Sequence, residues 1–133
     1  MTISHTGIIV TKAALADVTA WYLKALAPLG YKKVYDTEGV SVGLGDKEND
    51  ADWYITVKEG PAAPGSHTAF AVDNRASVDA FYKAALADAE VTGAKDNGPP
   101  GVRADYHSNY YAAFVIDPVG NNIEVLCEVD PEE

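Results

Sequence analysis

The strongest constraint on how this chain folds is an internal repeat. Ser4–Val10 reads SHTGIIV and Ser66–Val72 reads SHTAFAV, four identities in seven positions at a separation of 62. Ala20-Trp21-Tyr22 matches Ala80-Phe81-Tyr82, and Ala25-Leu26-Ala27 matches Ala85-Leu86-Ala87, at a separation of 60. The offsets nearly agree, so a unit of about 60 residues occurs twice, and one supersecondary solution must serve both copies.

Each copy opens on an alternating stretch, with Thr6, Ile8 and Val10 on one side and His5, Gly7 and Ile9 on the other, which is the period of a strand. A helix follows in each. Leu15, Val18, Tyr22, Leu26 and Leu29 recur at three- and four-residue steps, as do Val78, Phe81, Tyr82, Ala85 and Leu86. Thr11 and Asp73 carry side-chain oxygens suited to N-caps. Extended segments at Tyr31–Thr37, Val40–Gly45 and Trp53–Lys58 complete the first copy. In the second, Tyr110–Asp117 and Asn121–Glu128 read as a hairpin closed by Asp117-Pro118-Val119-Gly120. The unit is therefore βαβββ and the fold class α+β. Thr92–Asn109, rich in Gly and Pro, must contain the remaining strand, yet Gly98–Gly101 cannot pair regularly, and the segment reads as a lid or a plain connecting loop.

The chain has 133 residues, 47% of them hydrophobic, enough for one domain with a core of its own. Ten basic against 20 acidic residues give a formal charge of -10, which repels phosphate backbones and anionic lipid, so nucleic-acid and membrane partners are not expected. Cys127 stands alone in an apolar strand and reads as a small buried hydrophobe. No apolar run is long enough to span a bilayer and no signal-like segment opens the sequence, so a cytoplasmic location is expected.

Three histidines occur, and His5 and His67 hold the same place in the repeat, each between Ser and Thr. Both project away from the helix-packing residues, and a pseudo-twofold relation between the units would bring them together. Glu124 lies in the apolar strand Ile123–Cys127, where a carboxylate without a partner costs several kcal/mol, so it needs one. Two imidazoles and a carboxylate on strands form a ligand set for a divalent metal with positions left open for substrate. Taken singly, each of the three is more commonly structural.

The Ser-His-Thr openings, the FYKAAL helix and YYAAFVIDPVGNNIEVLC at Tyr110–Cys127 resemble the vicinal oxygen chelate superfamily, which includes glyoxalase I, bleomycin resistance proteins and extradiol dioxygenases. The resemblance covers nearly the whole chain and is most specific at Phe114, Asp117, Pro118, Gly120, Ile123 and Glu124. It implies a single glyoxalase-like domain over 1–133, with units at about 1–60 and 61–133. It also implies a curved mixed eight-stranded sheet with helices on its outer face, a homodimer, and metal ligands His5, His67 and Glu124. The ion it implies is Fe, Mn, Zn or Ni. The first unit departs from glyoxalase I, because Trp53 or Tyr54 stands where that enzyme places a glutamate. Only two arginines are present to hold the carboxylates of glutathione, which also argues against glyoxalase I.

The remaining candidates come from the second unit and from the departing strand. His107 is the first choice for general acid or base, with Tyr111 beside it as a second catalytic candidate. Trp53, Tyr54, Tyr106, Tyr110 and Arg103 are candidates for substrate contact, although strand tyrosines often serve packing alone. The expected activity is that of a metal-dependent enzyme on a small oxygenated molecule bound through two neighbouring oxygens. The alternative is a metal-free binding protein that sequesters a cationic ligand over aromatic rings.

Overall fold

The computed structural model of the chain describes residues 3–61 and 64–132. The chain divides into two units, Met1–Pro64 and Gly65–Glu133. In the first, β1 (Thr6–Val10), α1 (Leu15–Ala25), β2 (Lys32–Thr37), β3 (Ser41–Gly45) and β4 (Trp53–Val57) follow in order. The second holds β5 (His67–Ala71), α2 (Arg75–Leu86), the short α3 (Ala89–Thr92), β6 (Lys95–Val102), β7 (Tyr111–Ile116) and β8 (Asn122–Cys127). The eight strands form two four-stranded sheets of identical topology, ordered β1-β4-β3-β2 and β5-β8-β7-β6. In each sheet the first and last strands of the unit pair in parallel and the other neighbours are antiparallel.

Alternation decides which sheet face each helix covers. In unit one, Ile8 and Val10 of β1 are buried with Trp53 and Ile55 of β4, while Gly7 and Ile9 between the former are exposed. Helix α1 places Val18, Trp21, Tyr22 and Ala25 into that core, and Tyr22 lies 5.3 Å from the Trp53 ring. In unit two, α2 supplies Val78, Phe81 and Ala85 against Ala113, Val115, Ile123 and Val125. Each large apolar side chain so removed from water contributes about 1.5–3 kcal/mol, and this burial holds the helices to their sheets. Cys127 is 1% exposed and packs as a small apolar residue.

Local chemistry fixes the ends. Asn74, rather than Asp73, caps α2, its side chain accepting from the Ser77 amide at 2.8 Å. Thr11 makes no side-chain cap; a 3₁₀ turn at Lys12–Ala14 intervenes, and α1 begins only at Leu15. In the β7–β8 turn the buried Asp117 accepts from the Val119 and Asn121 amides at 2.9 and 2.8 Å, and Gly120 takes φ 97°, where a side chain is strained. The Gly- and Pro-rich segment is not a lid over its whole length. Lys95–Val102 is the edge strand β6 on β7, and its register slips between Asp96 and Gly98 and again between Gly98 and Gly101. Among the described residues no helix is long and apolar enough to cross a membrane.

Candidate functional site

The face of the unit-two sheet opposite α2 collects most of the chemistry. Because side chains alternate, Glu124 of β8, Phe114 of β7 and His67 of β5 share the face opposite α2. Glu124 pairs in register with both Ala69 and Phe114, which places it in the middle of the sheet and leaves it 3% exposed. Such a carboxylate requires partners, and two side chains approach it. Tyr110, immediately before β7, donates its hydroxyl to Glu124 Oε1 at 2.5 Å, and His67 Nε2 lies 3.1 Å from Oε2. Burial, then the bond to Glu124 and that carboxylate's charge, push the Tyr110 hydroxyl well above the ordinary tyrosine range, so it acts as a donor that keeps its proton.

The other imidazole nitrogen of His67, Nδ1, is 3.1 Å from the Asn122 carbonyl. A carbonyl only accepts, so Nδ1 carries a proton and Nε2 is the nitrogen turned to the carboxylate. The His67 side chain is 51% exposed, which makes the pair reachable from solvent while its carboxylate half stays dry. The His67 and Phe114 rings stack with centroids 6.4 Å apart. The Arg103 guanidinium stands 5.5 Å from the centre of the same Phe114 ring.

The aromatic candidates separate by position. Tyr106 and His107 lie exposed in the turn between β6 and β7, with Tyr106 edge-on to Tyr110 at 5.1 Å. His107 Nδ1 accepts from the Asn109 amide at 3.1 Å, which leaves Nε2 facing outward. Tyr111 is turned to the opposite face, donating to Asp79 of α2 at 2.6 Å beneath the Arg75 guanidinium. The Asp79 bond first, then burial, raises its hydroxyl above the ordinary range. The structure thus brings Tyr110, not Tyr111, to Glu124.

Unit one repeats the frame with different chemistry. Gly7 pairs with Tyr54 as Ala69 pairs with Glu124, so Tyr54 is the residue at the carboxylate's position. His5, exposed just before β1, lies edge-on to the Tyr54 ring at 5.2 Å and contacts Ser4 Oγ through Nδ1 at 3.2 Å. Trp53 is 1% exposed and belongs to the core against Tyr22. Sequence reasoning missed the Asn122 carbonyl that orients His67, a backbone group with no side-chain signal.

Among the described residues no group of three or more His, Cys, Asp and Glu side chains gathers to hold an ion, so unit two offers two donors, His67 and Glu124. Their geometry suits that use. His67 Nε2 and Glu124 Oε2 stand 3.1 Å apart, close enough that both would hold one divalent ion. The carbonyl behind Nδ1 and the hydroxyl on Oε1 are the outer partners that such donors require.

Neither a family model nor a curated protein matches the chain. Solved structures do. A glyoxalase/bleomycin resistance protein from Albidiferax ferrireducens is 26% identical with a TM-score of 0.70, over 92% of this chain and 96% of that one. A glyoxalase/bleomycin resistance protein/dioxygenase family enzyme from Burkholderia phytofirmans is 17% identical with a TM-score of 0.68, over 97% and 100%. A lactoylglutathione lyase from Agrobacterium tumefaciens is 18% identical with a TM-score of 0.64, over 95% and 92%. With its twice-built βαβββ unit, the chain has the fold of these glyoxalase, bleomycin resistance and dioxygenase structures, the fold of the vicinal oxygen chelate superfamily.

Proposed function

We propose that the chain is a divalent-metal-dependent enzyme acting on a small oxygenated organic molecule that binds through two neighbouring oxygens, with His67 and Glu124 as the donors from unit two. The observation that carries this reading is the Tyr110–Glu124–His67 chain of contacts on the face of the second sheet opposite α2. Tyr110 occupies Oε1 and leaves Oε2 as the available oxygen. The Asn122 carbonyl fixes Nδ1–H and aims the Nε2 lone pair at that oxygen. Two lone pairs at 3.1 Å repel unless a cation or a proton lies with them, so the pair is built to receive positive charge.

A divalent ion held there supplies Lewis-acid polarisation of substrate oxygens. The chain's own residues do the rest. Phe114 gives the substrate a flat apolar support beside the pair, and Tyr110 holds the carboxylate in one orientation. His107 Nε2 in the exposed turn is the group that exchanges protons with the substrate. Charge at -10 suits a metabolite-sized substrate rather than a polyanion.

The test is elemental analysis of protein purified without chelator and then offered Mn, Fe, Ni or Zn salts. The expected result is about one ion per chain for the natural sequence and none for His67→Ala. Including His5→Ala assigns the third donor expected from the sequence. Stoichiometric metal retained by His67→Ala, or no uptake of any of the four metals by the natural protein, refutes the proposal.

A second reading is favoured by one observation: Tyr110 donates to Glu124 Oε1 and His67 Nε2 stands 3.1 Å from Oε2, so both carboxylate oxygens already have protein partners. On that reading the protein binds a small molecule without metal, and the same measurement decides between the two.

A further inference from the structure

Arg103 is built into unit two with more care than a surface cation needs. Its Nη1 donates to the Gly101 carbonyl at 2.9 Å and its Nη2 to the Pro99 carbonyl at 2.7 Å, so the guanidinium is pinned at both ends of its fork. Strand β6 makes room for it with glycines. A Cβ at Gly98 would stand 3.1 Å from Arg103 Nη2 and from the Phe114 ring, and a Cβ at Gly101 would stand 3.1 Å from Nη1. Gly98 also takes φ 151°, a conformation that disfavours any other residue. The two register slips of β6 fall at these glycines, which ties the irregular strand to the placement of one side chain.

The pinned fork keeps donors to spare. A guanidinium has five N–H groups, and two are used on the backbone. Among the described residues Arg103 forms no ion pair, although the chain carries twice as many acidic as basic residues. Phe114 carries this cation over its ring and stacks with His67, so the guanidinium and the His67–Glu124 pair are separated by one aromatic side chain.

We propose that Arg103 is the anchor for a carboxylate on the substrate, so that the site takes small monocarboxylates whose oxygenated end reaches His67 and Glu124. The inference rests on the reading of this face as the functional site. A planar fork with fixed orientation matches the two oxygens of a carboxylate. A surface at -10 repels a phosphate dianion more strongly than a singly charged acid, which selects the carboxylate among oxyanions.

The experiment follows the Arg103 Nε–H and the backbone amides of β6 by NMR, in EDTA, during titration with lactate, benzoate, mandelate, the neutral amide of mandelate, and inorganic phosphate. The expected result is saturable perturbation of these signals by at least one of the three carboxylates. Mandelate should bind at least tenfold more tightly than its amide, and Arg103→Lys should weaken carboxylate binding at least tenfold in protein whose amide spectrum remains that of a folded chain. No perturbation by any carboxylate up to about 50 mM, equal binding of mandelate and its amide, or tighter binding of phosphate overturns the proposal. If Arg103→Lys does not fold, the acid-against-amide comparison on the natural protein still decides. Working in EDTA separates this outcome from the metal test, because loss of metal uptake leaves the carboxylate titration readable.

Discussion

Replacing Tyr110 with Phe removes one oxygen atom and isolates one end of a buried carboxylate. The bond it deletes is short, 2.5 Å, and ends on an oxygen of a residue only 3% exposed. Hydrogen bonds to charged groups contribute about 1.5–3 kcal/mol, and an abandoned buried acceptor falls in the same range. Tyr110 itself is half-buried, which lets water replace part of the loss, so the lower half of that range applies: about 2 kcal/mol. For a chain of this length that lowers the melting temperature by about 8 °C and the urea midpoint by about 1 M. In a Glu124→Gln background the same substitution should cost about half as much, because the charge that strengthens the bond is gone. The contribution also has a pH signature. The Tyr110 hydroxyl is raised in the folded chain, so its stabilisation is complete below the ordinary tyrosine value near 10 and is lost as pH climbs past it toward the folded value. The gap between natural and Tyr110→Phe protein should therefore narrow above about pH 10. A change within the about 0.5 kcal/mol of an ordinary surface substitution, or a gap that does not depend on alkaline pH, refutes this account of Glu124.

Three further outcomes are expected. Asn74→Ala removes the side-chain acceptor at the start of α2 and should cost about 1 kcal/mol, measured by urea unfolding. Phe81→Ala empties a site with 0% exposure beneath α2 and should cost about 3–5 kcal/mol by the same assay, enough to leave much of the protein unfolded at 37 °C. Gly98→Ala forces a Cβ against Arg103 and Phe114 at an unfavourable φ, and should destabilise by about 1–3 kcal/mol while shifting the Arg103 side-chain resonances.

Much of the architecture was legible because the repeat lets each half check the other. Strands β1, β2, β3 and β4 lie within a residue or so of where alternation and turn residues place them, and the hairpin of β7 and β8 follows from the Asp117–Gly120 turn. What escaped was decided by partners distant in sequence. Asn74 and Asp73 are both good capping residues, and only the backbone entering α2 chooses between them. Tyr110 and Tyr111 are chemically identical neighbours, and one residue of register sends one to Glu124 and the other to Asp79. Trp53 reads as an aromatic suited to a cavity, yet its strand neighbour Tyr54 is the one that shares a face with His5. The pairing of His67 with Glu124 joins residues 57 positions apart, and a carbonyl that names no side chain sets the imidazole's orientation.

The matched registers of the two sheets turn the chain into a record of unequal inheritance. Where one duplicate carries an acid, its sibling carries a phenol at Tyr54, so the two halves share a strand order and differ at the position that bears the carboxylate. Tyr54→Glu would erase that asymmetry, and the ease with which the first half tolerates it measures how far the siblings have drifted since they were copies.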